Sequence, residues 1–108
     1  MIRPYRILKL LAVFLREFTV SVFRVARLVL SPRLRFTPAA FRFPLALTSD
    51  RQITLLANMI TLTPGTLTVD VTEDRSALIV HAIDCSDVDA ARADIRNGFE
   101  RLIREAFA

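Results

Sequence analysis

At 108 residues the chain has room for one compact domain, and its 53% apolar content exceeds the ~45–50% usual for soluble domains, so some apolar surface is expected to face something other than water. One Cys and one His exclude an internal disulfide and a His/Cys metal cluster, and two Gly leave no Gly-rich phosphate loop. The net charge of +4 is unevenly divided: residues 1–49 carry nine basic side chains against Glu17, whereas residues 50–108 carry six basic and ten acidic ones. A basic, apolar front joined to an acidic rear points to a front that meets anionic lipid or nucleic acid and a rear that is a solvated domain.

Residues 7–30 run for 24 positions without Pro or Gly. At 100° per residue, Lys9, Arg16, Arg24 and Arg27 fall within about 80° of one another with Glu17 beside them, and Leu, Val, Phe, Ile and Ala fill the rest of the circumference. Such a helix is long enough to cross a ~30 Å hydrocarbon core, yet each charge at the bilayer centre costs at least ~2.5–3.5 kcal/mol. Two placements follow: a helix in the membrane interface with its stripe on the headgroups, or a span whose stripe packs on partner helices. An apolar arc this wide argues against an ordinary surface helix of a soluble protein. The start is basic and apolar, but charges interrupt the apolar stretch and no small-residue cleavage site follows, so the segment reads as retained.

Ser31, Pro32 and Pro38 end this helix, with Arg33 and Arg35 just beyond; basic residues also lie at its start, so charge leaves its orientation open. Phe41 to Leu47 alternates like a strand, and Pro44 assigns it to a sheet edge. Ser49 or Asp50 can cap a helix from Arg51 to Thr61, and Thr63-Pro64-Gly65-Thr66 then forces a turn. Leu67–Val71 and Ala77–Ile83 form a hairpin around a Glu73–Ser76 turn, and a last helix runs from Ser86 or Asp87 to Phe107. The uncharged stretch 53–69 imitates a second membrane span, but five Thr, Asn58 and the Pro-Gly pair make it helix, turn and strand. The expected fold is α+β: a membrane-spanning or interfacial helix at 1–31, a linker at 32–40, and a β-α-β-β-α domain at 41–108 with helices over one sheet face.

No nucleophile-base-acid set is legible, so catalysis and cofactor binding are not expected. His81, in a strand, reads as a satisfied structural histidine, and the acids from Asp70 to Asp89 lack calcium-loop spacing and read as turn and cap residues. Asn58 and the neighbouring Thr residues either cap the Pro-Gly turn or contact another subunit. Lone Cys85 suits a reducing compartment. Arg16 and Glu17 either pair with a neighbour's charges at membrane depth or lie on the wet side of an interfacial helix. A nucleic-acid binder would have to stack bases on Phe41 and Phe43, the available aromatics of the expected sheet.

The run Thr54-Leu55-Leu56-Ala57-Asn58-Met59-Ile60-Thr61-Leu62-Thr63-Pro64-Gly65-Thr66-Leu67-Thr68-Val69-Asp70-Val71 resembles the most distinctive stretch of the E-type subunits of Mrp-type (Mnh/Pha) multi-subunit Na+/H+ antiporters. Phe43-Pro44-Leu45, Ser49-Asp50, Val80-His81-Ala82-Ile83-Asp84 and the closing Glu100-Arg101-Leu102-Ile103-Arg104-Glu105-Ala106-Phe107 extend the resemblance over nearly the whole chain. It implies a non-catalytic accessory subunit of a monovalent cation (Na+)/proton antiporter in a bacterial cell membrane, with its C-terminal domain in the cytoplasm and the ion channels in larger partners. Implied partners are other antiporter subunits and membrane lipids, with no nucleic acid and no small-molecule substrate of its own. Set against the family, the expectation is a shortened member or a clipped start, since Met1 sits just before what looks like the helix that follows the family's N-terminal helical hairpin. The positions carried over are Arg16, Glu17, Arg24, Arg27, Arg33 and Arg35 for partner or membrane contact, and Asn58, Thr61, Thr63, Pro64, Gly65, Thr66 and Asp70 for the family-motif turn. The alternatives are a peripheral membrane adaptor anchored by its amphipathic helix and a small basic nucleic-acid-binding protein.

Overall fold

The protein is described by a computed structural model covering residues 3–31 and 37–107. Helix α1 spans Pro4–Leu30, with Pro4 at the first turn, where its missing N–H costs no helical hydrogen bond. Strand β1 (Ala39–Pro44), helix α2 (Asp50–Leu62) and the hairpin strands β2 (Thr66–Val71) and β3 (Ala77–Ala82) follow. Helix α3 (Val88–Ile95) passes through a π-helical turn at Arg96–Glu100 into α4 (Arg101–Ala106). A small antiparallel sheet carrying helices is the α+β class expected from the sequence.

The sheet has the order β1-β3-β2 with both pairings antiparallel. Phe41 and Phe43 oppose Val80 and Leu78, and these four side chains point into the core; Arg42 opposite Ile79, and Ala40 opposite His81, lie on the other face. A bulge at Val69 interrupts the β2–β3 ladder between Thr68 and Asp70. β1 starts two residues inside the segment the sequence assigns to a linker and stops at Pro44, short of the expected Leu47. Leu45 N–H still bonds the Ser76 carbonyl at 2.8 Å, in step with the β1–β3 register, but Ala46 N–H turns away to Glu100 at 3.0 Å. Leu47 still enters the core from the loop.

Ile53, Leu56, Met59 and Ile60 of α2 and Leu102 and Ile103 of α4 cover the inner sheet face, each apolar side chain contributing roughly 1.5–3 kcal/mol by leaving water. α1 shares this core. Leu10 is buried in it, Val13 and Phe14 pack against it, and the Phe14 and Phe99 rings lie 6.0 Å apart. The helix start is tied to the far end of the fold by Arg3 N–H to the Ala106 carbonyl (3.1 Å) and by an Arg6–Glu105 ion pair (2.9 Å). Segments 1–31 and 41–108 therefore meet across a packed interface. Among the described residues no helix is long and apolar enough to cross a membrane. α1 has the length, about 40 Å at ~1.5 Å per residue, but its charges break the apolar run.

Candidate functional site

The Thr-Pro-Gly turn is built from its own side chains. A helix leaves its last carbonyls without intrahelical partners, and here threonines take them. Thr63 Oγ1 donates to the Met59 carbonyl at 2.8 Å, Thr66 Oγ1 donates to the Ile60 carbonyl at 2.5 Å, and Thr68 Oγ1 reaches back to the Ala57 carbonyl at 3.1 Å. Thr61 Oγ1 accepts the Thr68 N–H at 3.0 Å and so fastens the end of α2 to β2. Pro64 and Gly65 occupy the centre of a turn closed by Thr66 N–H to the Thr63 carbonyl; proline first and a φ of +95° at Gly65 are the type II pattern. Of the residues assigned to this turn, Asn58 takes no part: it is exposed on the outer side of α2 beside Asp50, Arg51 and Thr54. Asp70 sits past the bulge and accepts the Val71 N–H at 2.8 Å.

Gly65 also marks where α1 crosses the turn. A Cβ there would lie 3.2 Å from Val25 Cγ2 and 3.3 Å from Ile83 Cγ2, so only glycine combines the left-handed φ with this close approach.

Packing divides the charged stripe of α1. Glu17 is half-buried and, with Ser21 and Arg24, lines a cleft of about 560 Å³ between α1, the end of the sheet and α3. Arg16, Arg27 and Lys9 stay exposed outside it. Arg16 and Glu17, taken together in the sequence, thus serve different surroundings. The opposite arc of α1 is apolar and uncovered: Leu8, Leu11, Leu15, Phe18 and Val22 are exposed, Phe23 by 71% and Leu30 by 82%. Arg33 and Arg35 lie outside the described residues.

Sequence periodicity misses Glu100. Counted at 100° per residue from Val88 it falls about 120° away from the apolar arc, yet it is only 1% exposed. The π turn that it closes interrupts the helical phase and carries it inward, where Oε2 accepts the Ala46 N–H and Oε1 has no hydrogen-bond partner. The other acids have the local duties expected of them. Asp87 caps α3 through Ala90 N–H at 3.1 Å, Asp84 accepts Thr37 N–H at 3.2 Å, and Asp74 takes hydrogen bonds from Ser76 and Thr72 that lower its carboxyl to about 2. No group of three or more His, Cys, Asp or Glu among the described residues could hold a metal ion. His81 is exposed on the open sheet face, not enclosed as a satisfied structural histidine would be. Phe41 and Phe43 point into the core and cannot stack bases, which removes the aromatic platform a nucleic-acid binder would need.

A family model described as Na+/H+ ion antiporter subunit matches residues 1–106. The chain belongs to this family. The E-type Na+/H+ antiporter subunit of Bacillus subtilis (strain 168) is 44% identical over 99 residues, 92% of this chain and 63% of that protein. The E1-type Na+/H+ antiporter subunit of Staphylococcus aureus (strain Newman) is 39% identical over 101 residues, 94% of this chain and 64% of that one. The chain therefore spans less than two thirds of the length of these curated relatives. A chain in the structure of the Mrp complex from Dietzia sp. DQ12-45-1b superimposes with a TM-score of 0.72 at 30% identity, covering 98% of this chain and 99% of its own. A chain of the membrane-bound sulfane sulfur reductase, an archaeal respiratory membrane complex, does so with a TM-score of 0.82 at 32% identity, covering 97% of this chain and 65% of its own.

Proposed function

We propose that the chain is a non-catalytic accessory subunit of a multi-subunit monovalent cation (Na+)/proton antiporter, supporting the assembly and stability of the complex at a bacterial cell membrane. The observation that carries this reading is the uncovered apolar arc of α1 on a fold whose other apolar helix is satisfied internally. Monomeric soluble domains rarely leave a continuous apolar stripe of this kind in water. In a member of an antiporter-subunit family, neighbouring membrane subunits are its natural cover.

The two solved relatives favour a supporting role. One lies in an Mrp complex and the other in a sulfane sulfur reductase, so the shared module suits something common to two membrane assemblies of different chemistry. Within this reading 1–31 is the membrane-facing helix and 41–108 the cytoplasmic domain, with Arg16, Arg24 and Arg27 as contacts on the flank of the arc.

Affinity purification of the tagged chain from detergent-solubilised native membranes, followed by mass spectrometry, tests this. Recovery with large multi-span antiporter subunits is expected, and recovery of the chain alone would overturn it. Everted vesicles containing this chain without its relatives should exchange no Na+ for protons.

A second reading has its own observation. Lys9, Arg16 and Arg27 edge the apolar arc as anionic headgroups would require of an interfacial helix, which suits a peripheral membrane adaptor. Extraction by carbonate or high salt would favour the adaptor over the complex subunit.

A further inference from the structure

The cleft under α1 runs against the sign of the chain. Glu17 from α1, Asp84 and Asp87 from the β3–α3 connection and Asp94 from α3 line it, with Arg24 as the one cation in its described lining, in a protein of net charge +4. Asp84 and Asp87 each commit one oxygen to a backbone N–H. Glu17 and Asp94 have no ion-pair or hydrogen-bond partner among the described residues.

An independent feature points into the same space. Ser21 is 5% exposed and lines the cleft, yet its hydroxyl has no hydrogen-bond partner among the described residues. A helical hydroxyl ordinarily bonds back to the carbonyl four residues earlier, as Thr19 does to Leu15 at 2.8 Å on the outer face of the same helix. The Ser21 oxygen thus faces the cleft rather than being sealed in the core, and a donor group arriving there can bond it.

We propose that this cleft receives an arginine or lysine side chain carried on an apolar segment of a neighbouring subunit, an inference that rests on the accessory-subunit reading above. The described carboxylates do not converge on a metal ion, and dispersed acceptors instead suit an extended head with several donors, of which guanidinium has five. The lining is two-toned: Ile95 and Phe99 can take the aliphatic stem while Glu17 and Asp94 take the charge.

Cys85, the sole cysteine, also lines the cleft and is half-buried, so its alkylation by a maleimide reports whether the cleft is filled. In the native complex labelling should be slower than in the separated chain by at least about tenfold. Glu17→Lys with Asp94→Lys should return it to the free rate, while Glu73→Lys in the β2–β3 turn, outside the cleft, should leave protection intact. Equal labelling of wild-type complex and free chain would overturn the proposal and leave the accessory role standing. Protection that survives the double charge reversal would also overturn it, because the occupant would then not be cationic. Failure to recover the chain with any other subunit would sink the accessory reading itself, and this inference with it.

Discussion

α1 and α2 invert what their charges would suggest. α2 carries only two charges, Asp50 and Arg51 at its start, and its apolar residues go into the core, so that Leu62 is its one exposed large hydrophobic side chain. α1 carries Arg and Lys at intervals and a Glu mid-way, yet it leaves a broad apolar arc in the open. The share of charged residues therefore ranks these helices wrongly. What separates them is the supply of internal partners: α2 has a sheet beneath it and threonines at its end, whereas α1 finds cover within the chain for only one side. Uncovered apolar surface, rather than apolar content, marks the part of the molecule made for something else.

Substitutions can break or sharpen this contrast. The largest effect is expected at Leu56→Ala on α2, which leaves a cavity in the core and should cost about 2–5 kcal/mol in denaturant unfolding of the purified chain. Gly65→Ala should cost about 1–3 kcal/mol through its left-handed backbone and its contact with α1. Combining it with Val25→Ala should recover part of that loss, and a strictly additive double variant would show that α1 does not press on the turn. Thr66→Val deprives the Ile60 carbonyl of its hydroxyl donor and should cost about 1 kcal/mol.

Phe23→Ser on the open arc should change unfolding by no more than about 0.5 kcal/mol while depleting the chain from membrane fractions. A cost like that of Leu56→Ala would mean the arc is already covered. The smallest effect belongs to pH. The Asp74 carboxyl is lowered from 3.8 to about 2 by Ser76 and Thr72, so its contribution is present above pH 4 and lost as pH falls towards 2. Asp74→Asn should remove that part of the acid dependence of unfolding.

Local chemistry was legible in the sequence where it is decided locally. The Pro-Gly turn, the hairpin and the start of α3 follow from residues within a few positions of one another, and the structure sets each within a residue or two of its expected bounds. The features that escaped depend on distant neighbours. Ala39 and Ala40 join β1 because β3 offers them partners, which no strand propensity of alanine announces. The stripe of α1 was visible as a stripe, but which of its charges would turn inward depends on where Val25 meets Gly65 and Phe14 meets Phe99. Glu100 was hidden for another reason: a periodic reading assumes one unbroken helix.

That broken helix can be put in terms of phase. A π turn inserts one extra residue into an α-helix, so the side chains of Val88, Ala91 and Ile95 and those of Leu102, Ile103 and Ala106 belong to two stripes offset from each other, both directed at the core. The helix acts like a shaft cut and rejoined after a partial twist. Each half is free to be optimised against its own neighbours, the first against β1 and the cleft wall, the second against α1 and α2. The joint is where an ionisable group came to rest indoors.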